Sequence, residues 1–242
     1  MRSLNPAVTC KRLKRKQKVP PETALTAKKA WRRFNKKDTR KACYKRQGGL
    51  CAYTELSLTA HGLGEHLEHI APRHSFPERT FESNNIVLSI LDEKNAGRLP
   101  ENQCFAGHYK KSQYSSDWFI SPYNTRCERY FSYCSYTGYI FPSIRLTPHQ
   151  RKKAAYTIDA LNLNCQYLIQ ARLKQLTLFE QIIIEWLTQN PHTKQALQEL
   201  LNRTIHTLEA KVLFTPDGYL AEFYSAKTQR LNYYRRHFNN SK

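Results

Sequence analysis

This chain is short of acids, of clustered cysteines and of long apolar runs. Across 242 residues it has 19 Asp and Glu against 39 Lys and Arg, with one Met and eight Gly. The longest apolar stretch, Ile182 to Ile184 extended by Trp186 and Leu187, is broken by Glu185 and falls far short of the roughly 18 residues a bilayer span takes. Membrane-spanning and fibrous classes are excluded on these grounds. The seven cysteines, at 10, 43, 51, 104, 127, 134 and 165, are odd in number and contain no C-x-x-C pair. That argues against a disulfide framework and for reduced thiols, most of them small buried hydrophobes. Met1 leads into polar residues and then Lys and Arg with no apolar stretch of the kind an export signal needs, so the expected location is the cytoplasm. At 40% hydrophobic and 12% aromatic the chain is no disordered tail, and its length predicts one large or two small cores.

What is abundant is positive charge, unevenly placed. Residues 1–50 carry seventeen Lys and Arg against Glu22 and Asp38, so +15 of the formal +20 lies in a fifth of the chain. Such a segment repels itself unless a polyanion neutralises it, and phosphate is the obvious counter-charge: each Lys or Arg that displaces a condensed counterion adds sequence-independent affinity. Lys14, Arg15 and Lys16 in the run from Lys11 to Lys18 are the densest candidates for phosphate contact. A solvated helix face or an arm for an acidic protein is the competing reading. A basic membrane-surface helix is disfavoured, because residues 11–18 lack a bulky apolar face.

The organisation reads as an α+β protein, mainly helical, in three parts: a basic arm and helix over 1–47, a loop-rich module over 48–150, and a helical region over 151–242. Residues 1–20, ending in Val19-Pro20-Pro21, read as an extended arm. Glu22 to Arg46 contains no Gly or Pro and predicts one long helix, stopped by Gln47-Gly48-Gly49. Strand-like pieces follow at Leu50 to Tyr53, Ile86 to Ile90 and Tyr139 to Pro142, separated by long loops that are uncommon without a function. After Thr147-Pro148 the spacing of apolar residues predicts a helix through Ala155, Ile158 and Leu161, a break at Asn162-Leu163-Asn164, and a second helix ended by Asn190-Pro191. A third is expected through Leu197, Leu200, Leu201, Ile205 and Leu208, then a Pro-Asp-Gly turn and a Tyr233-Tyr234-Arg235-Arg236 tail that reads as a surface helix.

Four of the nine histidines fall between His61 and His74. Within that stretch Glu65-His66-Leu67-Glu68-His69-Ile70-Ala71-Pro72 packs two imidazoles and two carboxylates into five positions. A neutral imidazole accepts a proton near pH 7 and a carboxylate holds a hard divalent cation, so Glu68-His69 can supply a metal ligand and a general base together. Ser83-Asn84-Asn85 offers an amide before an apolar strand, and Gly107-His108-Tyr109-Lys110-Lys111 a third imidazole beside two cations. His, Asn and His on strand, loop and helix is the order a ββα-metal nuclease needs. In that order the first His would activate water, an Asn would orient it through its backbone, and the last His would help ligate a divalent metal such as Mg²⁺ or Mn²⁺. Arg73, Lys110 or Lys111 would clamp the phosphate. His66 would share a strand face with Glu68; it reads as a substrate contact or surface residue, with a ligand role the alternative. His61 and His74 read as loop residues, and Cys127-Glu128-Arg129 as structural.

These stretches resemble the HNH endonucleases called PtuB, found in Septu and retron anti-phage systems. The likeness covers about residues 40 to 175. Its markers are Gln47-Gly48-Gly49-Leu50-Cys51-Ala52-Tyr53, Leu67-Glu68-His69-Ile70-Ala71-Pro72, Gly107-His108-Tyr109-Lys110, Ser121-Pro122 with Cys127-Glu128-Arg129-Tyr130-Phe131, and Ile158-Asp159-Ala160-Leu161-Asn162-Leu163-Asn164 leading to Arg172. The resemblance implies cleavage by His69 on a single divalent ion held partly by Glu68 and His108, with Asn85 the better match to the middle residue of the motif and Asn84 the fallback. It implies a PtuA-type ATPase as partner and, in some systems, a reverse transcriptase with its RNA-templated DNA. DNA is the favoured substrate, with structured RNA such as tRNA open. Where the family commonly shows C-A-Y-C this chain has Thr54; a structural zinc loses a ligand there, and Cys51 with Cys104 would supply only two of the four that zinc prefers. The competing function is a non-catalytic nucleic-acid-binding adaptor with a decayed HNH site.

Overall fold

The computed structural model describes residues 1–4, 10–189 and 213–239. Three basic helices open it: α1 (Lys11–Gln17), α2 (Ala24–Arg33) and α3 (Lys37–Gln47). Two expectations are corrected here. The arm is not extended throughout, since α1 forms and buries Leu13 at 1% exposure, packing on the turn Pro77–Phe81. Nor is residues 22–46 one helix. Thr23 and Thr26 form a reciprocal capping box at the start of α2, and at its end Phe34 turns extended (ψ 127°) to bury its ring against Trp31 and Phe81. Asn35 then accepts the Lys37 N–H at 3.0 Å, while Lys36 Nζ donates to the carbonyls of Trp31 and Phe34 at 2.8 and 3.2 Å, satisfying the frayed end. α3 stops as expected, at Gly48 in the left-handed region (φ 63°), where a Cβ would lie 2.7 Å from Leu220.

The central hairpin pairs β1 (Glu65–His69) antiparallel with β2 (Ile86–Ile90), aligning His66 with Ser89, Glu68 with Val87 and His69 with Ile86. β2 is buried at every position, so its free edge needs partners. Gln47 supplies them: its amide donates to the carbonyls of Leu50 (2.7 Å) and Leu88 (2.9 Å) and accepts the Leu88 N–H at 2.8 Å. The expected strand at Leu50 to Tyr53 is absent; only Leu50 pairs, with Ser57, because the chain doubles back through Glu55 at φ 61°. Downstream come α4 (Glu93–Ala96) and α5 (Ala106–Lys110), the latter lying on β2 with the Gly107 N–H donating to Ser89 Oγ at 3.2 Å.

A second hairpin joins β3 (Phe131–Tyr133) and β4 (Ile140–Pro142). Then follow α6 (Pro148–Ala160), opened by a Thr147/Gln150 capping box, and α7 (Gln166–Gln189), with the predicted break between them at Asn162 (φ 47°). Arg172 of α7, 1% exposed, donates to the carbonyls of Leu163 (3.0 Å) and Gly138. α8 (Tyr224–Asn239) returns to the middle of the molecule, where Glu55 accepts from the N–H (2.8 Å) and hydroxyl (2.5 Å) of Ser225. One apolar core runs from Leu4 through Phe81, Val87, Phe131 and Leu168 to Ala226 and so draws on all three parts of the chain. The expected helix over Leu197 to Leu208 lies outside the described residues. Mixed helices and small antiparallel sheets make this an α+β fold. No helix among the described residues is long and apolar enough to cross a membrane.

Candidate active site

Side chains alternate across a strand, so β1 sends His66 and Glu68 to one side and Leu67 and His69 to the other. α5 lies on the first side. Gly107 has no side chain because there is no room for one: a Cβ would lie 2.9 Å from His66 Nε2 and 3.0 Å from the Glu68 carboxyl carbon. This contact lets His108 bring its ring to 4.4 Å from that of His66. It also carries Lys110, fully buried, to 2.9 Å from Glu68 Oε1, with a further hydrogen bond to the His69 carbonyl at 3.3 Å. Burial pushes the Glu68 carboxyl up, but the His66 imidazole and the Lys110 ammonium outweigh it and hold the group below the ordinary carboxylate range.

The opposite side is aromatic. His69, 5% exposed, meets the Trp31 ring edge-on at 4.4 Å. Its Nε2 faces the carbonyl of Thr80 at 2.9 Å; a carbonyl only accepts, so Nε2 carries the proton and Nδ1 the lone pair. Burial, helped by the charge of Arg73, pulls the imidazole down to about 3 and keeps it neutral, even though the Thr80 carbonyl favours the charged form. Asn85 holds the turn that follows: its Oδ1 accepts the Ala71 N–H at 2.7 Å, and its Nδ2 donates to Ala71 O (3.1 Å) and Arg79 O (3.0 Å). Asn85 is completely buried; it acts as a positioning residue and does not line the cleft. Asn84 lines a separate polar cleft with Ser121 and Lys153, which favours Asn85 over its neighbour for the orienting role.

Both sides open into one cleft of about 640 Å³, lined by His66, Glu68, His69, Arg73, His108 and Lys111 together with Leu25 and Lys28 of α2. Glu68 and His108 on one side of β1 and His69 on the other thus border the same cleft, although 108 is far from the pair in sequence. Other candidates are placed differently. Lys110 is enclosed and committed to Glu68, so it cannot clamp a substrate phosphate. Lys111 is exposed and pairs with Glu101 at 2.7 Å. Lys14, Arg15 and Lys16 are exposed on α1 and none of them lines this cleft. Arg73, half-buried over the Trp31 ring, is the best-placed clamp. Among the remaining histidines, His61 is tied to Glu222 (2.5 Å) and Tyr167 (3.1 Å) and His74 is exposed beside Ser75.

Sequence reasoning missed Leu25 and Lys28 as walls of the cleft, since both lie on a basic helix read as separate from the module that carries the site. It also missed Thr80, whose part is played by a carbonyl that every residue carries. No protein-family model and no curated protein matches this chain. Among the described residues there is no group of three or more His, Cys, Asp or Glu side chains that could hold a metal ion. The donor chemistry nonetheless fits a divalent ion, because Glu68 is kept ionised and His108 Nε2 is buried with no hydrogen-bond partner. Burial and the neighbouring His66 hold His108 below the usual imidazole range, leaving it neutral as a ligand must be.

Proposed function

We propose that the chain is a metal-dependent endonuclease of the HNH type that hydrolyses phosphodiester bonds. The observation that carries this reading is the convergence of Glu68, His69 and His108 on one cleft, with His69 locked in a single tautomer by Thr80 O and its following turn locked by Asn85. Glu68 and His108 would hold the ion, which when bound supplies Lewis-acid stabilisation of charge on the phosphoryl and leaving oxygens. His69 Nδ1 takes a proton from the attacking water. A phosphate arriving in the cleft offsets the charge of Arg73, one of the causes that lower His69, and so raises its basicity when substrate is present. Arg73 and Lys28 orient the phosphate, and the basic surface of α1 to α3 contributes sequence-independent affinity.

The likeness to PtuB nucleases extends the proposal to a cytoplasmic anti-phage effector working with a PtuA-type ATPase, in some systems beside a reverse transcriptase. DNA is the favoured substrate. The test incubates the protein, alone and with that ATPase, with duplex DNA, single-stranded DNA and total RNA in Mg²⁺ or Mn²⁺, and maps cut ends. Cleavage is expected to fall by roughly 10²–10⁴-fold in His69→Ala under single-turnover conditions while binding is retained. Unchanged cleavage in that variant rejects the role of His69, and no cleavage of any substrate under any condition favours the adaptor reading.

A further inference from the structure

The β3–β4 hairpin shows to water the kind of side chain that a half-buried sheet usually hides. Its inner face is core, with Phe131 and Ile140 buried. The outer face of such a sheet is ordinarily polar. Here Phe141 and, two residues before it, Tyr139 both point outward, 39% and 49% exposed. Phe141 is paired across the strands with Ser132, and Tyr139 lies opposite Cys134, so small neighbours leave both rings bare. Tyr136 in the turn and Ile144 beyond the open end are more exposed still. The backbone beneath is fixed. Gly138 (φ 73°) lies so close to α7 that a Cβ would collide with the Ile169 carbonyl, and Arg172 donates to its own carbonyl. Asn164 clasps Ile140, accepting its N–H at 3.0 Å and donating to its carbonyl at 2.9 Å. Charge surrounds the rings. Over residues 126–153 six Lys and Arg stand against one acid, Glu128. The Ser143 N–H donates to Tyr130 O at 3.0 Å, which brings the segments of Arg129 and Arg145, both exposed, together at the open end. Arg151 of α6 reaches the same end, donating to the Ile144 carbonyl at 3.2 Å.

We propose that the outer face of this hairpin is a stacking platform for unpaired bases, holding a single strand of DNA or RNA whose phosphates meet the flanking arginines. This rests on the nuclease reading for its use and adds the form of nucleic acid that the chain takes. Every base has a flat face, so aromatic rings bind a single strand without regard to sequence while cations neutralise its backbone. Residues two apart on a strand are about 7 Å from each other, roughly twice the 3.4 Å rise per nucleotide of a duplex strand. Tyr139 and Phe141 therefore suit successive bases only of a strand drawn out of helical form. An acidic protein would feel the same charge, but it would need apolar area rather than ring planes. None of these residues lines the cleft beside β1, so the platform grips the strand away from the site of cleavage.

The experiment measures binding of fluorescein-labelled oligo-dT, oligo-rU and a mixed-sequence duplex to the full chain by anisotropy, in EDTA so that nothing is cut. The double variant Tyr139→Leu with Phe141→Leu keeps the apolar area and removes the planes. It is expected to weaken single-strand binding by more than about tenfold and duplex binding by less than about twofold, while Phe141→Trp retains the wild-type affinity. Comparing oligo-dT with oligo-rU tells which sugar is preferred. Ultraviolet cross-linking of wild type to an iodouracil-substituted strand, which needs no variant, is expected to label Tyr139 or Phe141. Single-strand affinity unchanged in the double variant, an equal loss on duplex and single strand, or cross-links confined to other segments overturns the platform. If the same variant instead loses association with an ATPase partner at unchanged single-strand affinity, the face is a protein dock and the proposal fails. Ring-dependent binding by a protein that cuts no nucleic acid sustains the platform and sinks the nuclease; cleavage with ring-independent binding does the reverse.

Discussion

The two sides of β1 treat the same chemical group in opposite ways. Toward α2, His69 has its ring nitrogen satisfied by Thr80, its plane set by Trp31 and its backbone continuation gripped by Asn85. Toward α5, His66 and His108 lie beside a carboxylate, and His108 Nε2 is left without a partner among buried atoms. His69 is held by a carbonyl and an aromatic ring, whereas His108 keeps a buried ring nitrogen without a hydrogen-bond partner. A group that must move a proton at a fixed point gains from preorganisation, and groups that hold an ion gain from keeping their lone pairs uncommitted. On the proposed reading a single five-residue strand serves both needs because its side chains alternate.

The sharpest challenge to that contrast is Lys110→Met. It removes the buried cation paired with Glu68 and leaves that carboxylate without it, with an expected loss of about 3–5 kcal/mol. Urea unfolding without metal measures it, and added Mn²⁺ should restore part of the loss by replacing the missing charge. On the other side, Asn85→Ala deletes three hydrogen bonds to the 71 and 79 backbone and should cost about 2–4 kcal/mol, with no such recovery on adding Mn²⁺. Recovery in both variants, or in neither, would erase the distinction between the two sides.

A smaller effect separates them by pH. Folded His69 stays neutral down to about 3, whereas an unfolded imidazole takes its proton near about 6.5. Between those values the unfolded chain binds more protons, so stability falls as pH falls through that window. From pH 7 to pH 5 the contribution of His69 is about 2 kcal/mol. Denaturant midpoints at the two pH values should therefore differ less in His69→Gln than in wild type. The smallest change is expected from Arg73→Gln or Lys28→Gln. Each should reduce the salt slope of duplex binding by about 0.9 or less, equally on all sequences, in filter-binding titrations across ionic strength.

Much of the arrangement can be read along the chain. The stop at Gly48-Gly49, the strand Ile86 to Ile90, the hinge at Asn162 and the donor-rich run from Glu65 to His69 each depend on local rules: left-handed backbone for glycine, continuous apolar residues for a fully buried strand, period two for side-chain faces. Where sequence reading failed, a neighbour distant in sequence decided. Residues 22–46 form two helices because Phe34 finds Phe81 to pack against and Asn35 caps the next turn. Gln47 is a strand-edge partner only because the chain returns to place Leu88 beside it.

The amino-acid order was sufficient to single out the donor-rich stretches at Glu65 to His69 and at His108 and to show that a basic segment precedes them. It also implied that His66 and Glu68 share a face, since alternation is a property of any strand. Only the folded molecule decided that Lys110 is an internal counter-ion and no clamp, that α2 walls the cleft rather than trailing from it, and that Thr80 sets the His69 tautomer. Those outcomes depend on burial and on backbone carbonyls brought close by distant packing. Neither leaves a signature in residue type.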